Sequence, residues 1–471
     1  MLGIWLLGQF ASPAAEIRRP NILFIISDDQ RPDTIAALGN TAIQTPNLDR
    51  LVGGGTTFLR AAAAYPICYV SRAEILTGVC AFRYGVGYPN AKIHPSVATW
   101  AGTLRAGGYH TWLVGKWDGD AGPKSRGYEE TRGLYTGGGG GPPSHLPYLD
   151  HAGRPASGYR GYTFKSDDGK ALPELGVGLT PDISRHFADA AIEFIERKPA
   201  EPFFLHVAFT APHDPRLLPP GWETKYDPKS MTLPKSFLPQ HPFDHGNLNG
   251  RDELLLGSPR QPDEVRAELA AYYAAISGMD EQIGRILEAL NTTGQLESTL
   301  IIFTSDQGLA IGSHGLLGKQ NLYEHTLGVP LIMSGPGVPK GETREAQCYL
   351  RDLFPTTCEL AGIATPASVQ ARSLVPVLRD ARKSVYPFIV GYFTDTQRAI
   401  REGLWKLVLY PKARRTQLFD LASDPNELND LSWQPDQIGR IRNLREKLVN
   451  WLKENGDPNV EAVAATPVPG G

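Results

Sequence analysis

Two apolar runs, each followed at once by acidic or amide side chains, constrain the fold of this chain most strongly. Residues 21–27 read NILFIIS and precede Asp28 and Asp29, and residues 300–305 read LIIFTS and precede Asp306 and Gln307. Short apolar runs closed by polar turns are typical of buried parallel strands. Because ligands of open α/β sheets collect outside the carboxyl ends of the strands, we expect both pairs to face one crevice.

Three carboxylates and one amide oxygen in that crevice predict a metal site. Asp28, Asp29, Asp306 and Gln307 would offer hard oxygen ligands, which suit Ca²⁺, with Mg²⁺ as the alternative, rather than zinc. Turn chemistry would explain either pair alone, because Asp and Gly are common after strands. The two pairs together favour the metal site.

Strand-like and helix-like patterns alternate along most of the chain. Strand-like runs cover 21–27, 111–114 and 203–209, helix-like patterns cover 46–53 and 184–197, and apolar residues recur at helical spacing from 265 to 290. This alternation predicts a large, mostly parallel sheet sandwiched by helices. The stretch 120–180 is rich in Gly and Pro but lacks the Gly-Lys-Ser/Thr ending of a phosphate-binding P-loop, so we expect a loop bordering the site.

The pattern changes after residue 376. Short strand-like runs at 405–410 and 417–421 precede a charged, helix-like stretch that ends near 454. We therefore predict a catalytic domain at 20–378 and a smaller C-terminal α+β domain at 385–455. Residues 456–471 are expected to form a disordered tail.

The composition argues against nucleic-acid binding and against a membrane span. With 47 Lys and Arg against 50 Asp and Glu, the chain lacks the basic stripe that phosphate backbones require, and no apolar run is long enough to cross a bilayer. Residues 1–15 are apolar and end in small residues, as a signal peptide does, although no Lys or Arg precedes the apolar stretch. We expect export to the periplasm or outside the cell, with the cytoplasm as the alternative.

The segment 68–78, CYVSRAEILTG, resembles the signature of the sulfatase family, which reads Cys-x-Pro-Ser-Arg and then Leu-Thr-Gly. The family's cysteine is oxidised to formylglycine, so the resemblance implies that Cys68 becomes the nucleophile and that a formylglycine-generating or equivalent maturation enzyme acts on it. A hydrated aldehyde can release sulfate by elimination, whereas a sulfated serine would be hydrolysed slowly. Val70 stands where the family has Pro. A buried structural cysteine is the alternative, since free Cys is among the most buried residue types.

The resemblance covers about residues 20–455 and implies roles for further residues. Lysine and arginine would offset the charge on sulfuryl oxygens, and histidine can donate a proton near neutral pH. By match to the family, a cation is held by Asp28, Asp29, Asp306, Gln307 and Cys68, the nucleophile by Arg72, and the sulfate by Lys116 and Lys319, while His213 protonates the leaving oxygen and His314 lies beside the substrate. Without the resemblance, a surface lysine and a loop histidine would explain Lys319 and His213.

Asp118 is the main departure from the family pattern. Residues 115–118 read Gly-Lys-Trp-Asp, where the family has Gly-Lys-Trp-His and the histidine contacts the formylglycine hydroxyl. An ionised Asp would repel a sulfate, whereas a protonated Asp could still hydrogen bond in a low-dielectric site. We hypothesise that Asp118 substitutes weakly in substrate binding, with a lower rate or an altered pH optimum.

Together these patterns predict an alkaline-phosphatase-like α/β fold and a metal-dependent sulfatase that hydrolyses a sulfate monoester on a carbohydrate or another small alcohol. A phosphonate or phosphate monoester hydrolase of the same superfamily is the alternative enzyme. A non-catalytic binder of sulfated glycans is the alternative of another class, and Val70 and Asp118 motivate it. The enzyme is favoured, because a binder would have no need for Cys68, Arg72 and both lysines.

Overall fold

The computed structural model of the protein describes residues 19–85, 92–137, 149–155 and 158–468, so the predicted signal segment 1–15 lies outside the described residues. The strands are β1 (Asn21–Ser27), β2 (Gly55–Phe58), β3 (Ala61–Ala62), β4 (His110–Lys116), β5 (Glu130–Thr136), β6 (Thr163–Lys165), β7 (Phe203–Ala208), β8 (Thr299–Ser305), β9 (Leu331–Ser334), β10 (Glu342–Arg344), β11 (Cys348–Tyr349), β12 (Phe388–Phe393), β13 (Gln397–Glu402), β14 (Trp405–Tyr410) and β15 (Arg415–Asp420). The helices are α1 (Pro46–Gly54), α2 (Cys68–Thr77), α3 (Trp100–Ala106), α4 (Ile183–Glu196), α5 (Pro262–Thr292), α6 (Glu324–Leu327), α7 (Leu353–Leu360), α8 (Val375–Arg379), α9 (Ile438–Asn455) and α10 (Val460–Ala464). Within the described ranges, none of the helices has the length and apolarity needed to cross a membrane.

Nine strands form one large sheet in the order β10-β2-β9-β8-β1-β7-β4-β5-β6. β1 lies at its centre and pairs in parallel with β7 and β8, and the parallel pairing continues through β4 to β5. β9 and β6 run antiparallel to β8 and β5. The predicted mixed, mostly parallel sheet is therefore confirmed, and the ends of β1, β4, β7 and β8 lie together at its centre.

Separate sets of helices cover the two faces of the sheet, because side chains of a strand alternate between the faces. Ile22, Phe24 and Ile26 of β1 pack in a core with α2, α3, α7 and α8. Leu23 and Ile25 pack in a second core with α1, α4 and α5. A strand covered on both faces must be apolar throughout, which is why the pattern of β1 was readable in the sequence.

The Gly- and Pro-rich stretch 120–180 is not a loop throughout, so that expectation is wrong in part. It contributes β5 and β6, which extend the sheet beyond β4. β5 reads ETRGLYT and mixes buried with partly buried residues, so it has no continuous apolar run that would reveal a strand. Residues 138–148, which include most of the glycine run, lie outside the described residues.

Strands β12 to β15 form a separate antiparallel sheet on which α9 packs, so the smaller C-terminal α+β region is confirmed. Its core is shared with α2, because Val70 and Ala73 belong to the same buried cluster as Tyr392. Glu74 of α2 accepts hydrogen bonds from Arg351 Nη1 at 2.8 Å and from the Tyr392 hydroxyl. α2 is thereby held between the two sheets. The domain boundaries 20–378 and 385–455 stay predictions.

Residues 456–468 are folded, so the prediction of a disordered tail is wrong for this part of the chain. α10 buries Val460 and Val463 in the C-terminal core. Asp457 accepts from Arg398 Nε at 2.5 Å and from Arg398 Nη2 at 3.0 Å, and both side chains are 0% exposed. The partner of Asp457 lies 59 residues earlier, and local composition does not reveal such a distant pairing. Residues 469–471 lie outside the described residues.

Candidate active site

The residues that follow β1 and β8 meet because the two strands are paired in register to their last residues. Asp28 and Asp306 therefore leave the sheet side by side. The backbone N–H of Asp29 donates to Asp306 Oδ1 at 3.1 Å, and Gln307 Nε2 donates to Asp29 Oδ1 at 2.6 Å. All four residues are fully buried. They form one crevice, as the strand pattern predicts, and we call it the carboxylate crevice.

Cys68 is the first residue of α2, and its side chain points into the carboxylate crevice. The thiol donates to Asp28 Oδ1 at 3.2 Å. The sulfur accepts from Gln307 Nε2 at 3.2 Å and from Lys319 Nζ at 3.1 Å. Cys68 is therefore in contact with residues after β1 and after β8 at once, which a cysteine buried in an apolar core would not be.

Val70 lies in the first turn of α2, at the position where the family has proline. Its N–H donates to the carbonyl of Ile67 at 3.2 Å, and its side chain is buried in the core shared with the C-terminal sheet. Proline is tolerated in the first turn of a helix, although a proline here would lack this N–H and its bond to Ile67. One residue later, Ser71 Oγ donates to the carbonyl of Asp306 at 2.6 Å and fixes α2 to the end of β8.

Three buried cations surround the carboxylates, one from α2, one from the end of β4 and one from the loop after β8. The family resemblance predicted each of them, and the fold brings them to the same crevice. The contacts are Arg72 Nε to Asp306 Oδ2 at 2.8 Å, Arg72 Nη2 to Asp28 Oδ2 at 3.6 Å, Lys116 Nζ to Asp28 Oδ2, and Lys319 Nζ to Asp29 Oδ2 at 2.9 Å.

Burial and neighbouring charges lower the pKa of one carboxyl group in the crevice and raise the pKa values of another carboxyl group and of the thiol. Burial opposes the ionisation of Asp28, yet Lys116 and His213 lower its pKa well below the ordinary value. Burial and the Asp28 carboxylate raise the pKa of Asp306 to about 7. Burial and Asp28 also raise the pKa of the Cys68 thiol well above its ordinary value. The thiolate is the nucleophilic form of cysteine, so the unmodified side chain is poorly suited to attack.

His213 reaches the crevice from the loop after β7. Its Nε2 lies 3.6 Å from Asp29 Oδ2, and its Nδ1 lies 3.4 Å from Asp214 Oδ1. The ring of Tyr159 meets the imidazole edge-on, with 4.8 Å between the ring centroids. The imidazole is buried and is thus confined on both sides, with Nε2 directed at the crevice.

Asp118 lies beside the crevice together with two tyrosines that the sequence analysis missed. Asp118 Oδ2 is 2.9 Å from Lys116 Nζ and 3.9 Å from Arg72 Nε. The Tyr162 hydroxyl donates to Asp118 Oδ1 at 3.0 Å. The Tyr159 hydroxyl donates to the Asp28 carboxylate. Both tyrosines lie in the Gly-rich stretch, where no periodic pattern singles out one aromatic residue from another.

His314 packs in a cluster of buried rings, and its expected place beside the substrate stays a prediction. Its ring stacks on Tyr323 with 3.9 Å between centroids and lies 5.6 Å from the ring of His325. Its backbone N–H donates to the carbonyl of Ser236 at 2.6 Å. The stacking on Tyr323 takes the ring into the packing against the C-terminal region.

The donor set of the carboxylate crevice fits a divalent cation. Ligand atoms of Asp28, Asp29, Cys68 and Asp306 all lie within 4.8 Å of one another. Gln307 Oε1 is buried and has no hydrogen-bond partner among the residues that the structure describes. Buried oxygens are almost always paired, and the amide that carries this acceptor lies against Asp29 and Cys68 through its Nε2, so Gln307 has an oxygen to offer to a cation. Oxygen ligands of this kind suit Ca²⁺ or Mg²⁺.

Comparisons with known proteins agree with this site. The sequence profile of the family described as Sulfatase matches residues 20–363, and a profile described as N-sulphoglucosamine sulphohydrolase, C-terminal, matches residues 312–454. The arylsulfatase of Clostridium perfringens is 29% identical over 469 residues, which cover 92% of this chain and 95% of the relative. The solved structure of BT4656 in complex with its substrate D-glucosamine-2-N,6-O-disulfate has a TM-score of 0.78 at 23% identity and covers 94% of this chain and 99% of its own. The phosphonate monoester hydrolase of Agrobacterium radiobacter has a TM-score of 0.76 at 22% identity, with 93% and 96% covered.

The mixed, mostly parallel sheet carries the carboxylate crevice at the ends of its central strands, and the solved structures above share this fold. The profile match extends over most of the chain and includes every residue of the crevice. The chain belongs to the sulfatase family, and it is a sulfuric ester hydrolase.

Proposed function

We propose that this sulfatase hydrolyses a sulfate monoester on a carbohydrate, with formylglycine formed from Cys68 as the nucleophile and one divalent cation, Ca²⁺, in the carboxylate crevice. The observation that carries the proposal is the position of Cys68 Sγ, which contacts Asp28, Gln307 and Lys319 together. A nucleophile at this point meets the cation ligands on one side and a sulfate-binding lysine on the other. The glucosamine disulfate bound by BT4656 supports a carbohydrate substrate.

The residues of the crevice fit both groups that the family uses. Formylglycine would supply a hydrated aldehyde, in which one hydroxyl attacks sulfur and the other allows sulfate to leave by elimination. A cation held by Asp28, Asp29, Asp306, Gln307 and residue 68 would act as a Lewis acid on the sulfate oxygens. The modification requires a formylglycine-generating or equivalent enzyme in the host, and export by residues 1–15 stays a prediction.

The chain's own cations and His213 complete the chemistry. Arg72, Lys116 and Lys319 are buried, so their charges act through a medium of lower dielectric than water on a sulfate that enters the crevice. Fixed positive charges of this kind stabilise the negative charge that develops on the transferring group. His213 Nε2 faces the crevice and is placed to donate a proton to the departing oxygen.

Mass spectrometry of the peptide that contains Cys68 tests the nucleophile. The chain is produced together with a formylglycine-generating enzyme, and the Cys68→Ala variant serves as the control. We expect the mass loss of thiol-to-aldehyde oxidation and turnover of 4-nitrophenyl sulfate and glucosamine 6-sulfate that the variant lacks. Equal turnover by the Cys68→Ala variant would refute the proposed nucleophile, and an unmodified Cys68 without turnover would favour the glycan binder.

Chelation tests the cation. We expect EDTA to lower both the turnover and the melting temperature, because three carboxylates that crowd around one point repel each other once the cation leaves. Restoration by CaCl₂ at lower concentration than by MgCl₂ would identify Ca²⁺. The Asp306→Asn variant should need more of either ion for the same turnover. Full activity after exhaustive chelation would contradict the cation.

A phosphonate monoester hydrolase is the second candidate function, because the Agrobacterium radiobacter enzyme shares the fold at a TM-score of 0.76. The ratio of kcat/KM for 4-nitrophenyl sulfate to kcat/KM for 4-nitrophenyl phenylphosphonate separates the two candidates. A ratio above one supports the sulfatase proposal, and a ratio well below one reverses the assignment.

A further inference from the structure

The ring of His213 is oriented from its Nδ1 side. Nδ1 contacts the backbone carbonyl of Asp214 and lies 3.4 Å from Asp214 Oδ1. A carbonyl oxygen can only accept a hydrogen bond, so Nδ1 carries a proton and donates it to the backbone carbonyl of Asp214, with the Asp214 carboxylate alongside. This leaves Nε2 as the nitrogen that faces the carboxylate crevice, 3.6 Å from Asp29 Oδ2.

Asp214 is itself held by Arg251. Arg251 Nη2 donates to Asp214 Oδ1 at 3.0 Å, and Nη1 donates to Oδ2 of the same carboxylate. A two-point contact between guanidinium and carboxylate fixes the orientation as well as the position of the acid. Asp214 is buried, whereas the side chain of Arg251 is 37% exposed. The two residues line an open cleft of about 300 Å³, so Arg251 reaches Asp214 from the solvent side.

The turn that carries Arg251 also holds the segment of Lys319. Residues Arg251–Leu255 form a short 3₁₀ helix. Within it, the Glu253 carboxylate accepts from the backbone N–H of Leu317 at 2.9 Å and of Gly318 at 2.8 Å. This turn therefore contacts Asp214, which holds His213, through Arg251, and it contacts the segment that carries Lys319 through Glu253.

We propose that Arg251 is a positioning residue for the departure of the leaving group and that it acts through Asp214 on His213. The inference rests on the proposed function. When the S–O bond to the leaving oxygen breaks, that oxygen keeps the electron pair and takes the proton from His213 Nε2, which leaves a neutral imidazole whose Nδ1–H still donates to Asp214. Loss of Arg251 frees Asp214 to turn, and Nε2 then meets the leaving oxygen less often.

The proposal predicts a dependence on the leaving group that a general loss of activity would not show. A phenol that leaves readily as an anion, such as 4-nitrophenol, needs little help from an acid, whereas a more basic phenol needs much. General acid catalysis contributes about 10²- to 10⁴-fold, and a misoriented acid loses part of it. We expect Arg251→Gln to lower kcat/KM for 4-methoxyphenyl sulfate by about 10-fold or more and for 4-nitrophenyl sulfate by less than about threefold.

The experiment measures kcat/KM for 4-nitrophenyl, phenyl and 4-methoxyphenyl sulfate with the full-length, matured enzyme. Arg251→Lys keeps the charge and one hydrogen bond, so it should give an intermediate dependence on the leaving group. Arg154→Gln is the matched control, because Arg154 lines the same cleft but pairs with Asp150 and Glu268. Glu253→Gln, in the same turn, should lower kcat/KM for all three esters by similar factors, since Glu253 holds the Lys319 segment.

Each outcome has one meaning. A steeper leaving-group dependence in Arg251→Gln, partly restored in Arg251→Lys and absent in Arg154→Gln, supports the inference. A uniform loss across the three esters, or equal steepening in Glu253→Gln or Arg154→Gln, overturns it while leaving the proposed function intact. If Arg251→Gln fails to fold, an unchanged dependence in Arg251→Lys overturns it. A wild-type enzyme that hydrolyses neither these esters nor glucosamine 6-sulfate overturns the proposed function and this inference together.

Discussion

Replacing Asp118 with asparagine should tighten the binding of sulfate. Asp118 Oδ2 lies 2.9 Å from Lys116 Nζ and 3.9 Å from Arg72 Nε. This carboxylate therefore pairs with two of the cations that we propose to bind the sulfate. Asparagine has nearly the same shape and can still accept the hydrogen bond from Tyr162. The change therefore removes a negative charge and little else.

The geometry bounds the size of the effect. A sulfate oxygen bound to Lys116 would lie about 3 Å from Nζ, and hence within about 6 Å of Asp118 Oδ2. At that separation and an effective dielectric constant of about 20, two like unit charges repel each other by about 3 kcal/mol. Arg72 offsets part of the Asp118 charge, so we expect sulfate to bind about 10- to 100-fold more tightly, at about 1.4 kcal/mol per factor of ten.

Isothermal titration with sodium sulfate at fixed ionic strength measures this binding, and product inhibition of 4-nitrophenyl sulfate turnover provides a second measure. Asp120→Asn is the control, because Asp120 pairs with Arg126 at 2.8 Å instead of with the sulfate-binding lysine. Sulfate affinity that stays within twofold of wild type, or falls, would refute the reasoning and make Asp118 a support for the two cations. Asp118→His should also raise turnover, since imidazole restores the family's hydrogen-bonding group without a fixed negative charge.

Three further predictions concern maturation and stability. Val70→Pro should raise the fraction of Cys68 converted to formylglycine, measured by peptide mass spectrometry, and an unchanged fraction would contradict it; the melting temperature should fall, because proline lacks the N–H that bonds to Ile67. Asp457→Ala should lower the free energy of unfolding by about 3–5 kcal/mol, because it leaves the buried Arg398 without its carboxylate. Loss of an exposed ion pair would cost at most about 1 kcal/mol. Urea unfolding measures the change, and a cost below about 1 kcal/mol would refute the prediction. Burial and Arg72 lower the pKa of His206 to about 3. Below about pH 6.5 this histidine binds a proton in the unfolded chain but not in the folded chain. The free energy of unfolding therefore falls as the pH falls below 6.5. From pH 7.5 to pH 5 this histidine should account for about 2 kcal/mol, and His206→Phe should show an unfolding midpoint less sensitive to acid than that of wild type over this range.

The sequence predicted the centre of the fold better than its margins. β1 and β8 are covered on both faces, so their apolar runs and their closing carboxylates were legible. β5 is only partly buried and gave no such signal. The ordered segment after residue 455 depends on the pairing of Asp457 with Arg398, and long-range pairing of this kind leaves no local pattern.

The candidate site divides in the same way. The residues that a family motif marks, such as Cys68 and Lys319, lie in the crevice together. Tyr159 carries no motif, and it reaches the crevice through contacts with Tyr135 of β5 and Lys116 of β4. His314 belongs to a motif, and its ring stacks on Tyr323, a contact that the motif does not reveal. Asp214 is adjacent to His213 in the sequence, but the positioning role that we propose depends on its pairing with Arg251, and no local pattern connects these two residues.

The helix that begins at Cys68 packs against both sheets. Glu74, six residues along, is bonded to Tyr392 of the second sheet as well as to Arg351. The C-terminal region therefore cannot be exchanged freely. A chimera of this catalytic domain with the C-terminal region of another sulfatase would need a tyrosine at the position of Tyr392 to keep this hydrogen bond. The helix of Cys68 and the second sheet therefore pack as one unit, although Glu74 and Tyr392 lie 318 residues apart.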